Sequence, residues 1–272
     1  MKIACMQVSP FSTDVDHALQ HLEKSAVIAK SKGCDILVTP EMYLTGYNIG
    51  PAEVQRLAQP KDGQYFEEVA KIARHNAIAI LYGYPERVPD QDAPFNSVQL
   101  IDDLGKIAGN YRKTHLYGQV DRTQFLQGER RSFLISLKGW KIALAICYDI
   151  EFPELARAYA QDGADIILAP TANMTPYDSV ATRLVPARAQ ENGVFVVYAN
   201  YSGSEGHFDY CGKSCICGPD GEDLARAHKP ETLIFAQLDR AMIAEVRQGA
   251  SYLADVRTEI YASKNTGTSE HD

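Results

Sequence analysis

Apolar runs of strand length recur at 2–8, 35–40, 77–85, 96–102, 141–147, 165–171 and 193–200, with helix-period segments between several of them. That alternation restricts the chain to an α/β architecture, in which helices cover sheets. Segment 14–33 gathers Ala18, Leu19, Leu22, Ala26, Ile28 and Ala29 near one side, and Gly33 follows its last turn as a stop. Segment 63–77 repeats the theme with Phe66, Val69, Ala70, Ile72 and Ala73. Segment 152–164 opens with Pro153 at a first helical position and ends at Gly163, whereas Pro186 should kink or restart the helix expected over 180–193. Two turn signals, Asp102-Asp103-Leu104-Gly105 and Pro219-Asp220-Gly221-Glu222, join alternating runs as hairpins. Parallel-type and hairpin strands together predict mixed sheets with helices outside. A single domain over 1–262 is expected, followed by a frayed tail at 263–272.

Charge and cysteine usage narrow the function. A net charge of −8 disfavours a nucleic-acid surface, which needs clustered Lys and Arg. No apolar run approaches a membrane span, and the N-terminus has no signal-peptide core, so a cytoplasmic protein is expected. Six cysteines in 272 residues are no disulfide framework. Cys211, Cys215 and Cys217, with His207 nearby, lack the paired hooks of a zinc site and sit on an alternating stretch. A half-buried strand is expected there, and no metal.

Three apolar runs end on reactive groups: Glu41 after the run at 35–40, Lys113 after "GNYR", and Cys147 after "IALAI". Singly, each has a bland account as a loop carboxylate, a snorkelling lysine and a core thiol. Together they are harder to dismiss, because α/β folds place their sites in loops at strand ends. A free thiol has a pKa of about 8.5 and needs a base or a positive environment to react at neutral pH. A carboxylate in a pocket can take the thiol proton and later deprotonate water. A charged lysine and the Tyr148 backbone N–H can stabilise an oxyanion on an attacked carbonyl.

The chain resembles the nitrilase superfamily of carbon–nitrogen hydrolases, and more closely its amidase branches. The resemblance is carried, in order, by "TPEMYLTGYNIG" (39–50), "YRKTHLYG" (111–118), "ICYDIEFPE" (146–154), "ARAQENGVFVVYAN" (187–200) and "CGKSCICGPDGE" (211–222). It implies a four-layer α-β-β-α sandwich with two mixed central sheets, and a Glu41–Lys113–Cys147 triad with no metal or organic cofactor. It also implies a homodimer or higher homo-oligomer, with "YLADVRTEIYAS" (252–263) taking part in subunit association. Asp121 stands eight residues beyond the lysine, where many members carry a glutamate, and Glu129 is the alternative occupant of that acidic role.

Around this triad, substrate contacts are expected from Tyr148, Glu151, Asn173 and Tyr43. Some branches that act on acidic amides carry arginine where this chain has Glu151, so a neutral or amine-bearing amide is expected. Asp149 and Glu154 read as helix N-terminal carboxylates, Arg188, Glu191 and Asn192 as structural ties, and His115 as structural. Ser214 lacks one flanking glycine of a nucleophile elbow, which removes a serine hydrolase. The leading function is hydrolysis of a small carboxamide to carboxylate and ammonia through a cysteine thioester. N-carbamoyl hydrolysis is the alternative; nitrile hydrolysis and a non-catalytic scaffold rank below it.

Overall fold

The computed structural model describes residues 1–228 and 230–262; the tail expected at 263–272 lies outside them. The first half contains β1 (Lys2–Gln7), α1 (Val15–Ser31), β2 (Ile36–Val38), α2 (Pro51–Leu57), α3 (Gln64–Asn76), β3 (Ala79–Glu86), β4 (Phe95–Ile101), β5 (Ile107–Arg112) and α4 (Gly118–Gln124). It continues with β6 (Ile135–Leu137), β7 (Trp140–Leu144), α5 (Pro153–Gln161), β8 (Ile166–Thr171), α6 (Val185–Asn192) and β9 (Phe195–Asn200). The hairpin β10 (Ser202–Glu205) and β11 (Phe208–Cys211) follows, then β12 (Cys215–Cys217), β13 (Asp223–Arg226) and β14 (Thr232–Gln237). Short helices α7 (Arg240–Gly249), α8 (Tyr252–Asp255) and α9 (Thr258–Ala262) close the described chain.

Two six-stranded sheets form, in the orders β14-β1-β2-β3-β4-β5 and β13-β12-β9-β8-β7-β6. Each has a parallel centre, β1-β2-β3 and β7-β8-β9, flanked by antiparallel strands, so both sheets are mixed. Strand periodicity then divides the apolar runs between two layers. Ile3, Cys5, Ile36, Val38, Ala79 and Leu81 face Ile142, Leu144, Ile166, Leu168, Phe195 and Val197 in the core between the sheets. The alternate residues of the first sheet, Ala4, Met6, Leu37, Ile80 and Tyr82, pack with Ala18, Leu22, Val69 and Ala73 of α1 and α3. Those of the second, Ala143, Ile167, Val196 and Tyr198, pack with Ala156, Tyr159, Val185 and Ala189 of α5 and α6. Three apolar interfaces between four layers make the α-β-β-α sandwich. Strands buried on both faces are why these runs read as continuous rather than alternating.

Local departures have local causes. Pro186 lies in the first turn of α6, directly after a π-helical turn at Val180–Leu184 that displaces the backbone ahead of the ring. β12 is buried throughout instead of half-buried, because β9 and β13 flank it and both its cysteines face the α-helical layer.

Candidate active site

The loops after β2, β5, β7 and β8 converge at the C-terminal ends of their strands, the usual site position in a sheet with parallel crossovers. The Glu41 N–H donates to the Thr171 carbonyl at 3.3 Å, tying the end of β2 in one sheet to the end of β8 in the other. Gly83 on β3 makes the approach possible: a Cβ there would sit 2.3 Å from the Met42 nitrogen. Any larger residue would push the Glu41 segment away.

Lys113 leaves the end of β5 and is fully buried, with its Nζ 2.7 Å from Glu41 Oε1 and 2.7 Å from Asp121 Oδ2. Burial works to lower its pKa, but the Asp121 and Glu41 carboxylates overcome it and hold the amine well above its ordinary value. Both carboxylates thus favour the charged ammonium. Asp121, in the first turn of α4, also accepts from the Tyr47 hydroxyl at 2.8 Å and the Tyr117 N–H at 2.8 Å. The shorter aspartate therefore reaches the lysine, and Glu129 is exposed on the surface away from it.

Glu41 is fully buried. Its Oε1 accepts from Lys113 and from Asn96 Nδ2, each at 2.7 Å, while Oε2 is buried with no hydrogen-bond partner among the described residues. Burial raises its pKa, Lys113 opposes the rise, and Asp121 adds to it. A carboxylate with one committed and one open oxygen is suited to taking and returning a proton.

Cys147 begins a 3-10 turn, Cys147–Glu151, at a backbone φ of +47°. A non-glycine residue there costs about 1–3 kcal/mol and persists only where its surroundings enforce it. Those surroundings are visible. Asp149 is fully buried and accepts from the Ile146 N–H (3.0 Å), the Tyr111 hydroxyl (2.8 Å), the Thr114 hydroxyl (2.9 Å) and the His115 N–H (3.0 Å). Arg188 donates to the carbonyls of Ile150 (3.1 Å) and Glu151 (2.8 Å) and pairs with Glu191. Asp149 is thus the N-terminal carboxylate of the 3-10 turn and also the clamp joining the lysine loop to it; Glu154 occupies the first turn of α5. Burial and the Glu41 charge push the Cys147 thiol well above its ordinary pKa, against the pull of Lys113 and the Ala172 N–H. Burial and the Glu41 charge both favour the neutral thiol over the thiolate.

A cavity of 220 Å³ opens beside this sulfur, lined by Tyr47, Tyr117, Tyr148, Glu151, Asn173 and Tyr177, with Ala172 and Met174. Three of the expected substrate contacts, Tyr148, Glu151 and Asn173, line it. Asn173 is fixed by its N–H to Asn200 Oδ1 (2.8 Å) and its Nδ2 to the Tyr177 carbonyl (3.0 Å). Burial raises the Glu151 carboxyl above its ordinary pKa, and Lys113 and Arg188 moderate the rise. Tyr43, the fourth, is corrected: it is fully buried beneath α1, its hydroxyl donating to the Ala18 carbonyl at 3.0 Å and lying 3.0 Å from His21 Nδ1. Its ring fills the helix–sheet core, and Tyr47 of the same loop holds the cavity position instead. Asn96, Tyr47 and Tyr177 were not singled out by the sequence, since each reaches the site from a different segment.

His115 lies beyond the end of β5; its Nδ1 lies 2.8 Å from Asp149 Oδ1 and its ring stacks on Phe152 at 4.0 Å. Ser214 is fully buried, donating to Gln7 Oε1 at 3.0 Å and accepting from the Asn200 N–H at 2.9 Å. Cys211, Cys215, Cys217 and His207 do not converge. Among the described residues, Cys215, Cys217 and Asp223 bring ligand atoms within 4.8 Å, but Asp223 is held by Arg226 at 2.7 Å. No helix among the described residues is long and apolar enough to cross a membrane.

A four-layer sandwich with an enclosed Glu–Lys–Cys group at the strand ends defines a carbon–nitrogen hydrolase. Residues 2–248 match the carbon–nitrogen hydrolase family model, and the chain belongs to that family. It is 49% identical over 261 residues to the Pseudomonas protegens protein described as hydrolase in pqqF 5′ region, covering 96% of this chain and 90% of that one. An (R)-stereoselective amidase from Pseudomonas sp. is 33% identical over 94% of this chain and 92% of its own. The solved amidase from Nesterenkonia sp. AN1 superposes with a TM-score of 0.85 at 32% identity, covering 96% of this chain and 98% of that chain. A variant of that amidase carries the acetamide moiety of fluoroacetamide on its active-site cysteine. The chain is a cysteine-dependent carbon–nitrogen hydrolase of the amidase type.

Proposed function

We infer that Cys147 is the nucleophile, Glu41 the proton carrier and Lys113 the oxyanion partner in hydrolysis of a small carboxamide. Glu41 takes the thiol proton as sulfur attacks the amide carbon, and the oxyanion that forms is met by the Lys113 ammonium and the Tyr148 N–H. The proton passes to the departing nitrogen, ammonia leaves, and a thioester remains. Glu41 then deprotonates a water that attacks the thioester, and the proton returns to sulfur as carboxylate is released. Asp121 holds the lysine. The observation that carries this reading is the division of labour within Glu41: Oε1 is committed to Lys113 and Asn96, and Oε2 is open.

The substrate class proposed is a neutral or amine-bearing amide. Glu151 in the cavity wall supports it, because an anionic substrate would meet a second carboxylate there. The 220 Å³ volume supports a small acyl group. Ammonia release across aliphatic, amino-acid, ω-carboxylate and N-carbamoyl amides tests the proposal; preference for ω-carboxylate amides would overturn the substrate class, and preference for N-carbamoyl compounds would select the alternative reaction. The same reading expects a homodimer or larger homo-oligomer in the cytoplasm. Exposed Tyr252, Ile260 and Tyr261 on α8 and α9 support the association, and six unpaired cysteines support the reducing compartment.

A further inference from the structure

Glu205 ends β10 on the small hairpin outside both main sheets, yet it is 5% exposed and points inward. Its carboxylate is satisfied by neutral donors: Oε2 accepts from the Tyr47 N–H (3.1 Å), the Asn48 N–H (2.6 Å) and the Tyr210 hydroxyl (2.7 Å), and Oε1 from the Ser12 hydroxyl (2.8 Å). Taking a carboxylate out of water is expensive, so four such bonds mark a position where an acceptor of this shape is required. The loop it grips is shaped to receive it. Gly46 has a φ of +88°, and a Cβ there would stand 2.4 Å from Glu205 Oε1.

The far end of the gripped residue reaches the reacting groups. The Tyr47 hydroxyl donates to Asp121 Oδ1 at 2.8 Å, and Asp121 Oδ2 holds Lys113 Nζ at 2.7 Å. The Tyr47 ring lies under the ammonium, 5.6 Å from its centroid, and stacks on Phe208 of the same hairpin at 6.3 Å. The hairpin therefore holds Tyr47 twice, by its backbone through Glu205 and by its ring through Phe208.

We propose that Glu205 is a positioning residue for the amidase reaction, fixing Tyr47 against Asp121 and thereby setting where the Lys113 ammonium stands relative to the oxyanion. It touches neither substrate nor the reacting atoms. The proposal rests on the roles given above to Cys147, Glu41 and Lys113, and a displaced oxyanion partner is felt in the chemical step more than in binding.

The test is a cycle of Glu205→Ala, Tyr47→Phe and the double variant, with kcat expressed per alkylatable Cys147 so that unfolded protein is not counted. Glu205→Ala is expected to lose about 100-fold in kcat with KM changed less than about threefold. Glu205→Gln keeps an oxygen for the two backbone N–H groups but turns an NH2 towards the Ser12 hydroxyl, so it should recover only to between about a tenth and a third of the wild-type kcat. In the Tyr47→Phe background, loss of Glu205 should cost less than about threefold more, since both act through one path. A purely structural Glu205 would lower the unfolding midpoint while leaving kcat per site within about threefold of wild type, and that result, or losses that multiply in the double variant, overturns the proposal. If Glu205→Ala yields no folded protein, the cycle is run with Glu205→Gln: a kcat loss that vanishes beside Tyr47→Phe supports the proposal, and no loss or an equal loss in both backgrounds overturns it. Turnover that survives Cys147→Ala would instead strike the thiol mechanism itself, so the two failures are distinguishable.

Discussion

Replacing Asp121 by asparagine probes the charge arrangement around the lysine. Three donors converge on its two oxygens: the Lys113 ammonium, the Tyr117 N–H and the Tyr47 hydroxyl. Asparagine offers one acceptor oxygen and an NH2 that is itself a donor. At a fully buried position at least one donor is left unpaired, which costs about 1–3 kcal/mol. The ion pair with Lys113 also becomes a weaker ammonium–amide hydrogen bond, losing about 1 kcal/mol more. Denaturant unfolding of Asp121→Asn should therefore show a loss of about 2–4 kcal/mol. Turnover should fall about 100-fold, because the ammonium is no longer fixed at the carbonyl. The pH profile supplies a sign. The Asp121 charge helps raise the Glu41 carboxyl, and the proposed proton transfer needs Glu41 ionised. Removing that charge lets Glu41 ionise at lower pH, so the acid limb of kcat/KM should move to lower pH. Unchanged stability together with an acid limb that stays or moves upward would refute the account of the Glu41–Lys113–Asp121 cluster.

Other outcomes follow from the same geometry. Gly83→Ala places a Cβ 2.3 Å from the Met42 nitrogen, so overpacking of about 1–3 kcal/mol and displacement of Glu41 should lower both unfolding midpoint and kcat. His115→Ala, by contrast, should leave kcat within about threefold while costing about 1 kcal/mol of stability through its lost contacts to Asp149 and Phe152; a loss of activity alone would make it catalytic. Iodoacetamide followed by peptide mapping should label Cys147 ahead of the buried Cys5, Cys34, Cys215 and Cys217, and a competing amide should protect it. Sedimentation of the purified chain should give a dimer or larger species, and a monomer at micromolar concentration would contradict the expected association.

The alternation of strand runs with helical segments made the layered fold legible, because a strand buried on both faces must be apolar at nearly every position. Asp121 was expected only from the family resemblance, in which many members carry a glutamate eight residues beyond the lysine. What the sequence concealed was convergence. β14 pairs with β1 across almost the whole chain, and no local pattern announces such a partner. Asn96 meets Glu41, Tyr47 meets Asp121 and Glu205 meets Tyr47 only once distant segments have folded together. Tyr43 and Tyr47 illustrate the limit: both sit in one loop and both rings are buried in the same helix-side core, yet only Tyr47 also lines the cavity. The alternation at Cys215 and Cys217 suggested one solvated face because the covering helix layer cannot be read from the strand itself.

The central claim is that acyl transfer passes through Cys147. Intact-mass measurement of enzyme quenched by acid during turnover of a small amide tests it most directly. A mass increase equal to the acyl group, mapped to the peptide carrying Cys147 and absent in an inactive Cys147→Ala variant, is the predicted result. Turnover by Cys147→Ala, or an acyl group on any other residue, would contradict it.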